Sequence, residues 1–254
     1  MSAFTKKGFS LVELSIVLII IGLLFVGVSS GAKLIQAAKI NKIMTQISTV
    51  DSGFLAFFQA YDALPGDFND ATSFWGTTDI ADGDGDGSIE INPTAAASDA
   101  KGDEVSNSLL HMQRGEFIEG NYTAQIDQAE YAYKTELSAH LIISSQKNSN
   151  DNDLTGFPSI SNKNTIILAK NVSSSRSATD PGVNSAFLTP RQAYTIDKKY
   201  DDSLPKTGRV TYRDESNATG NVTESSCTDG SDAYLSSGAN AEAQGCNLIY
   251  SINN

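Results

Sequence analysis

From Phe9 to Val28 the chain reads Phe-Ser-Leu-Val-Glu-Leu-Ser-Ile-Val-Leu-Ile-Ile-Ile-Gly-Leu-Leu-Phe-Val-Gly-Val, twenty residues with one charge, Glu13. At about 1.5 Å per residue, a helix of that length spans roughly 30 Å, the thickness of a bilayer's hydrocarbon core. Lys6 and Lys7 precede it and hold that end in the cytoplasm by the positive-inside tendency. Lys33, Lys39 and Lys42 follow it and weaken the asymmetry. Three ordinary readings fit such a run: a cleaved signal peptide with small residues near Ser30-Gly31-Ala32, a plain single-pass anchor, or a buried core helix. Glu13 speaks against all three. A carboxylate in an apolar span costs about 2.5–3.5 kcal/mol at the helix centre, and less near the end. It needs a partner, and no basic residue lies within helical reach inside the span.

The apolar pattern continues past Val28. Leu34, Ile35, Ala38, Ile40, Ile43, Met44, Ile47, Val50, Phe54, Phe57, Phe58 and Tyr61 recur mostly at steps of three and four, one stripe along a helix. Leu64-Pro65-Gly66 predicts its end, because the residue before proline resists helical angles. Beyond lies a polar, turn-rich, acidic segment. Asp103 to Ile118 predicts a short helix, and Tyr131 to Ile143 fits either helix or strand. Asn164 to Val172 predicts a strand. Thr189-Pro190 starts a helix running to about Tyr200, with threonine as cap and proline first in the helix. A turn at Asp201–Gly208 then leads into a strand from Arg209 to Arg213. The sum is an α+β plan, a small antiparallel sheet lying on a long helix.

The chain carries 18 Lys+Arg against 30 Asp+Glu, a formal net charge of −12. That excludes a nucleic-acid partner held by bulk charge. Two cysteines and two histidines are too few for a zinc or iron–sulfur cluster. His111 and His140 read as packed or surface residues, and no hydrolase, metalloprotease or phosphate-loop motif is present. Cys227 and Cys246, outside the membrane by this topology, pair most simply as a disulfide; the alternative is two free thiols.

Asp82-Gly83-Asp84-Gly85-Asp86-Gly87-Ser88-Ile89-Glu90 is the ligand-like cluster. Alternating aspartates with glycines between them let a tight loop turn several carboxylates onto a hard cation, which suits Ca²⁺. The ligand set would be Asp82, Asp84, Asp86, Ser88 and Glu90. The bidentate acid of a full calcium loop falls on Pro93, so the alternative is a solvated acidic turn. Nothing else in the sequence requires a cofactor.

Lys6-Lys7-Gly8-Phe9-Ser10-Leu11-Val12-Glu13-Leu14 resembles the class III leader junction of type IV pilins and type II secretion pseudopilins. The resemblance implies cleavage by prepilin peptidase between Gly8 and Phe9, then methylation of the Phe9 amine. It implies that Glu13 pairs with the terminal amine of a neighbouring subunit during assembly, which supplies the partner the apolar span lacks. It also implies a division into leader (1–8), transmembrane or filament-core helix (9–31), amphipathic continuation (32–64) and globular head (65–254). The implied location is the bacterial inner membrane, single-pass, with the amino terminus cytoplasmic and the head periplasmic, and then a filament. The implied partners are other pilin subunits, the peptidase and an inner-membrane assembly platform. A disulfide-closed loop near the carboxyl end fits the same family. Ser30-Gly31 stands where type IVa major pilins often carry a proline, which leaves the subclass open. The functional expectation is a structural subunit, a minor pilin or pseudopilin, with an adhesive tip module as the alternative and a membrane-anchored enzyme far behind.

Overall fold

The computed structural model describes residues 10–91, 103–124, 132–135, 137, 139–145, 164–172, 183–214, 227–228, 233–235 and 243–252. The chain divides into two units, Met1–Lys42 and Ile43–Asn254. Helix α1 (Leu11–Tyr61) has residues in both.

In the first unit every residue from Ser10 to Val28 is exposed. Leu11–Val28 is long and apolar enough to cross a membrane, and none of it is buried. Monomeric soluble proteins rarely leave this much apolar surface uncovered.

In the second unit, α1 buries Ile43, Ile47, Val50, Phe54 and Phe57, the three-and-four spacing of one helical face. The helix stops at Tyr61, three residues before the expected Leu64. Asp62 donates its N–H to Phe58 and turns into the left-handed region at φ 53°, which aspartate tolerates better than most residues. The short helix α2 (Ala71–Trp75) follows. Phe57, Tyr61, Phe68, Trp75 and Phe117 then close an aromatic cluster, with Phe57 and Tyr61 at 4.7 Å between ring centres.

Helix α3 (Glu104–Arg114) lies within the expected Asp103–Ile118 but stops four residues short of its end, and it buries Val105, Leu109, Leu110 and Met112. Asp103 caps it, accepting from Ser106 N–H at 2.9 Å while its own N–H reaches Ser106 Oγ. Helix α4 (Pro190–Tyr200) starts and ends where expected, with Thr189 and Gln192 in a reciprocal cap.

The sheet has five strands in the order β1 (Tyr133–Lys134), β2 (His140–Ser145), β3 (Asn164–Ala169), β7 (Cys246–Ser251) and β6 (Val210–Asp214), all antiparallel. β4 (Asn171–Val172) and β5 (Val183–Asn184) form a separate pair. The ambiguous segment from Tyr131 to Ile143 resolves into β1 and β2. β3 is buried on both faces, which is why it reads as a run of apolar residues rather than an alternation. The edge strand β6 is blunted: Val210 N–H donates to Asp201 Oδ2 at 2.7 Å, and Tyr212 N–H to the Pro205 carbonyl at 2.8 Å. The architecture is α+β, an apolar amino-terminal helix with an antiparallel sheet, consistent with a pilin-like fold.

Candidate functional site

The acidic loop is built around two carboxylates that its own spacing does not reveal, Asp67 and Glu104. Asp67 is 3% exposed. Its Oδ1 accepts from Gly85 N–H at 2.6 Å and Asp86 N–H at 3.1 Å, and its Oδ2 from Gly87 N–H at 2.9 Å. Glu104 accepts from Asp84 N–H at 3.0 Å and Glu90 N–H at 2.9 Å. Two acids thus hold five amides between Asp84 and Glu90. Burial pushes Asp67 up to about 6, against the pull of the Gly87 and Gly85 bonds, and pushes Glu104 up to about 8. The glycines are required where the loop passes Asp67. A Cβ on Gly83 would lie 2.3 Å from the Asp67 backbone, and Gly85 sits at φ +76°.

The residues singled out from sequence part company here. Carboxylate oxygens of Asp67, Asp84 and Asp86 lie within 4.8 Å of one another. Asp82 is not of that group: its two oxygens accept from Thr72 N–H and Thr72 Oγ1, each at 2.7 Å, at the start of α2. Ser88 donates its N–H to Asp86 Oδ1 at 2.9 Å, and Glu90 stands outside the three. The mutual repulsion of the aspartates is met in part by amide donors and by the raised proton affinity of the buried acids.

His111 is fully buried beside this loop. Its Nδ1 accepts from Gly66 N–H at 3.0 Å, so Nε2 carries the proton and donates to the Ala81 carbonyl at 3.0 Å. Burial holds it down to about 4. It is a packed residue stacked on Phe57, as its sequence context suggests.

Cys227 and Cys246 form a disulfide, with Cα atoms 4.9 Å apart. It ties the loop to the first residue of β7. Thr228 bridges to Tyr234, whose hydroxyl donates to the buried Asp197 near the end of α4. Burial pushes Asp197 up to about 6.

The start of α1 is the other candidate site. Gly8 and Phe9 lie outside the described residues. Ser10 N–H donates to Glu13 Oε2 at 2.8 Å, and Ser10 Oγ accepts from Val12 N–H at 3.3 Å. Glu13 therefore has a partner within its own chain, the Ser10 amide rather than a basic residue, and the Ser-x-x-Glu spacing is the sequence signal for it.

Residues 4–29 match the family model of the prokaryotic N-terminal methylation motif. The chain carries a class III prepilin leader. That leader is the one carried by type IV pilins and pseudopilins, and it points to a pilin- or pseudopilin-type structural subunit. The prepilin leader implies processing by prepilin peptidase and assembly with other pilin subunits. With the apolar α1 it fits a subunit anchored in the inner membrane. Gly8, Phe9, Ser10 and Glu13 all fall within the matched residues. No curated protein and no solved structure matches the chain.

Proposed function

We propose that this chain is a minor pilin or a pseudopilin, assembled into a type IV pilus or a type II secretion pseudopilus. Prepilin peptidase cuts between Gly8 and Phe9, and the Phe9 amine is methylated. The mature chain then comprises a filament-core helix to about residue 31, its amphipathic continuation to about 64, and a head from 65 onward. The amino terminus faces the cytoplasm and the head the periplasm. One observation carries the reading: an acid, Glu13, inside a methylation motif and inside the stretch of α1 from Leu11 to Val28, every residue of which is exposed. In a filament that surface is covered by neighbouring helices, and Glu13 meets the Phe9 amine of the next subunit. The mechanism has no bond-making step beyond the chain's own processing. The test is Glu13→Ala. Membrane insertion should be unchanged or improved, because a carboxylate leaves the bilayer, while incorporation into filaments should fall. Normal filament yield would sink the pairing.

A divalent cation, Ca²⁺ by the oxygen chemistry, belongs to this reading at Asp67, Asp84 and Asp86 rather than at the set that includes Asp82. The head as a tip-located binding module is the second reading. It draws on a cleft of about 480 Å³ beside the disulfide loop, lined by Pro190, Tyr194, Leu204, Tyr234 and Leu235. Deleting the chain's gene from a piliated strain separates the two: a structural subunit lowers filament number, whereas a tip module lowers adhesion of filaments that still form.

A further inference from the structure

The first turn of a helix leaves backbone N–H groups without intrahelical partners, and in hydrocarbon no water supplies them. α1 meets this at Leu11, inside the apolar span. Ser10 Oγ accepts from Val12 N–H at 3.3 Å, and Glu13 Oε2 accepts from Ser10 N–H at 2.8 Å. The Ser10 carbonyl takes the first helical bond, from Leu14 N–H at 3.2 Å. Serine at the cap and glutamate three residues on, each serving the other's end of the turn, is the logic of a capping box.

We infer that Ser10 and Glu13 act as one unit: Glu13 caps α1 within its own chain, and this bond fixes the carboxylate at the helix start, ready for a neighbour's amine. Ser10 is a positioning residue for Glu13. The two duties are compatible, since a carboxylate offers about four lone-pair sites and one amide fills only one of them. Order at the helix start also lowers the entropy lost when subunits join. The significance for assembly rests on the filament reading above; the cap itself does not.

Glutamine separates the two duties, because it keeps an acceptor oxygen and loses the charge. The full chain, processed and held in detergent micelles, is followed by residue-resolved amide hydrogen exchange. Filament yield is scored in parallel in cells. Glu13→Ala should speed exchange of the Ser10 amide by about fivefold, the scale of a lost cap. Glu13→Gln should leave that amide near the wild-type rate while abolishing filaments. Ser10→Ala should speed the Val12 amide and lower filament yield, and Ser10→Thr, also a cap former, should restore both. Equal exchange of the Ser10 amide in wild type and Glu13→Ala overturns the cap, whatever the filaments do. Full filament yield from Ser10→Ala overturns the positioning role. Filaments from Glu13→Gln with the Ser10 amide still slow would leave the cap standing and count against the pairing instead.

Discussion

Asp51 and Arg209, 158 residues apart in sequence, meet at 3.3 Å. Asp51 lies on α1, and Arg209 immediately precedes the edge strand β6. Tyr250 on β7 completes the contact: its hydroxyl donates to Asp51 Oδ2 at 3.1 Å, and the Arg209 guanidinium lies 4.7 Å from its ring centre. Helix and sheet of the second unit are thus joined by a charge, a hydroxyl and a ring.

Arg209 is 40% exposed, so the ion pair alone contributes little. Its ring contact and its bonds to the Ser251 carbonyl add to it. Arg209→Ala should cost about 1–2 kcal/mol of stability, and Arg209→Lys most of that, because an ammonium cannot fork and stack at once. Denaturant unfolding of the detergent-held chain, read at low and high salt, measures both variants. A loss that disappears at high salt would assign the effect to the charge pair alone.

His111 and two carboxylates give the fold opposing pH dependences. The folded value of His111, about 4, lies below the ordinary 6.5, so the unfolded chain takes the proton first. Its contribution is complete above about pH 6.5 and is lost as the pH falls towards 4, by about 3 kcal/mol at most. Glu104 and Asp67 act the other way. Their folded values are raised to about 8 and about 6, so their contribution is full at low pH and is lost as the pH rises through those values. Between about pH 4.5 and 6 the two acids together outweigh the histidine, so thermal melts should fall as the pH rises from about 4.5 towards 8. In His111→Gln that fall should steepen below about pH 6.5, because the opposing effect of the histidine is gone, although the variant melts lower throughout. An unchanged slope in that variant would remove His111 from the pH dependence of the fold.

What was legible in the sequence was what is local. The ends of α4 are written in Thr189-Pro190 and in Tyr200 before an acidic turn. The cap of α3 lies within four residues, and the stripe on α1 needs no tertiary knowledge. β7 is not legible, because Leu248-Ile249-Tyr250 is a short apolar run and only pairing with β3 and β6 makes it central. The acidic loop is legible, but its organisers are not. Asp67 and Glu104 reach it from separate segments, and no spacing within Asp82–Glu90 points to them. The same blindness put Asp82 with its neighbours, when the fold brings Thr72 to it.

Calcium tests the loop. Binding to the folded state alone stabilises by RT ln(1 + [L]/Kd), about 2.7 kcal/mol at a hundredfold excess over Kd. Without a bidentate acid at Pro93 the affinity should be weak, on the order of 10⁻⁴–10⁻³ M. Millimolar Ca²⁺ should raise the melting temperature at pH 7. Asp67→Asn, or the Asp84→Asn, Asp86→Asn pair, should remove the rise, and Asp82→Asn should leave it. A melting temperature indifferent to Ca²⁺ and chelator returns the segment to a solvated turn held by amides.

Processing between Gly8 and Phe9 is the claim on which the filament reading depends, and intact-mass and amino-terminal peptide mass spectrometry of the protein from its own cells measures it. The expected mature chain begins at N-methyl-Phe9, with Lys6 and Lys7 gone and Glu13 as its fifth residue. A mature chain beginning after Ala32 would contradict it, because Glu13 and the whole apolar span would then have been discarded as an ordinary signal peptide.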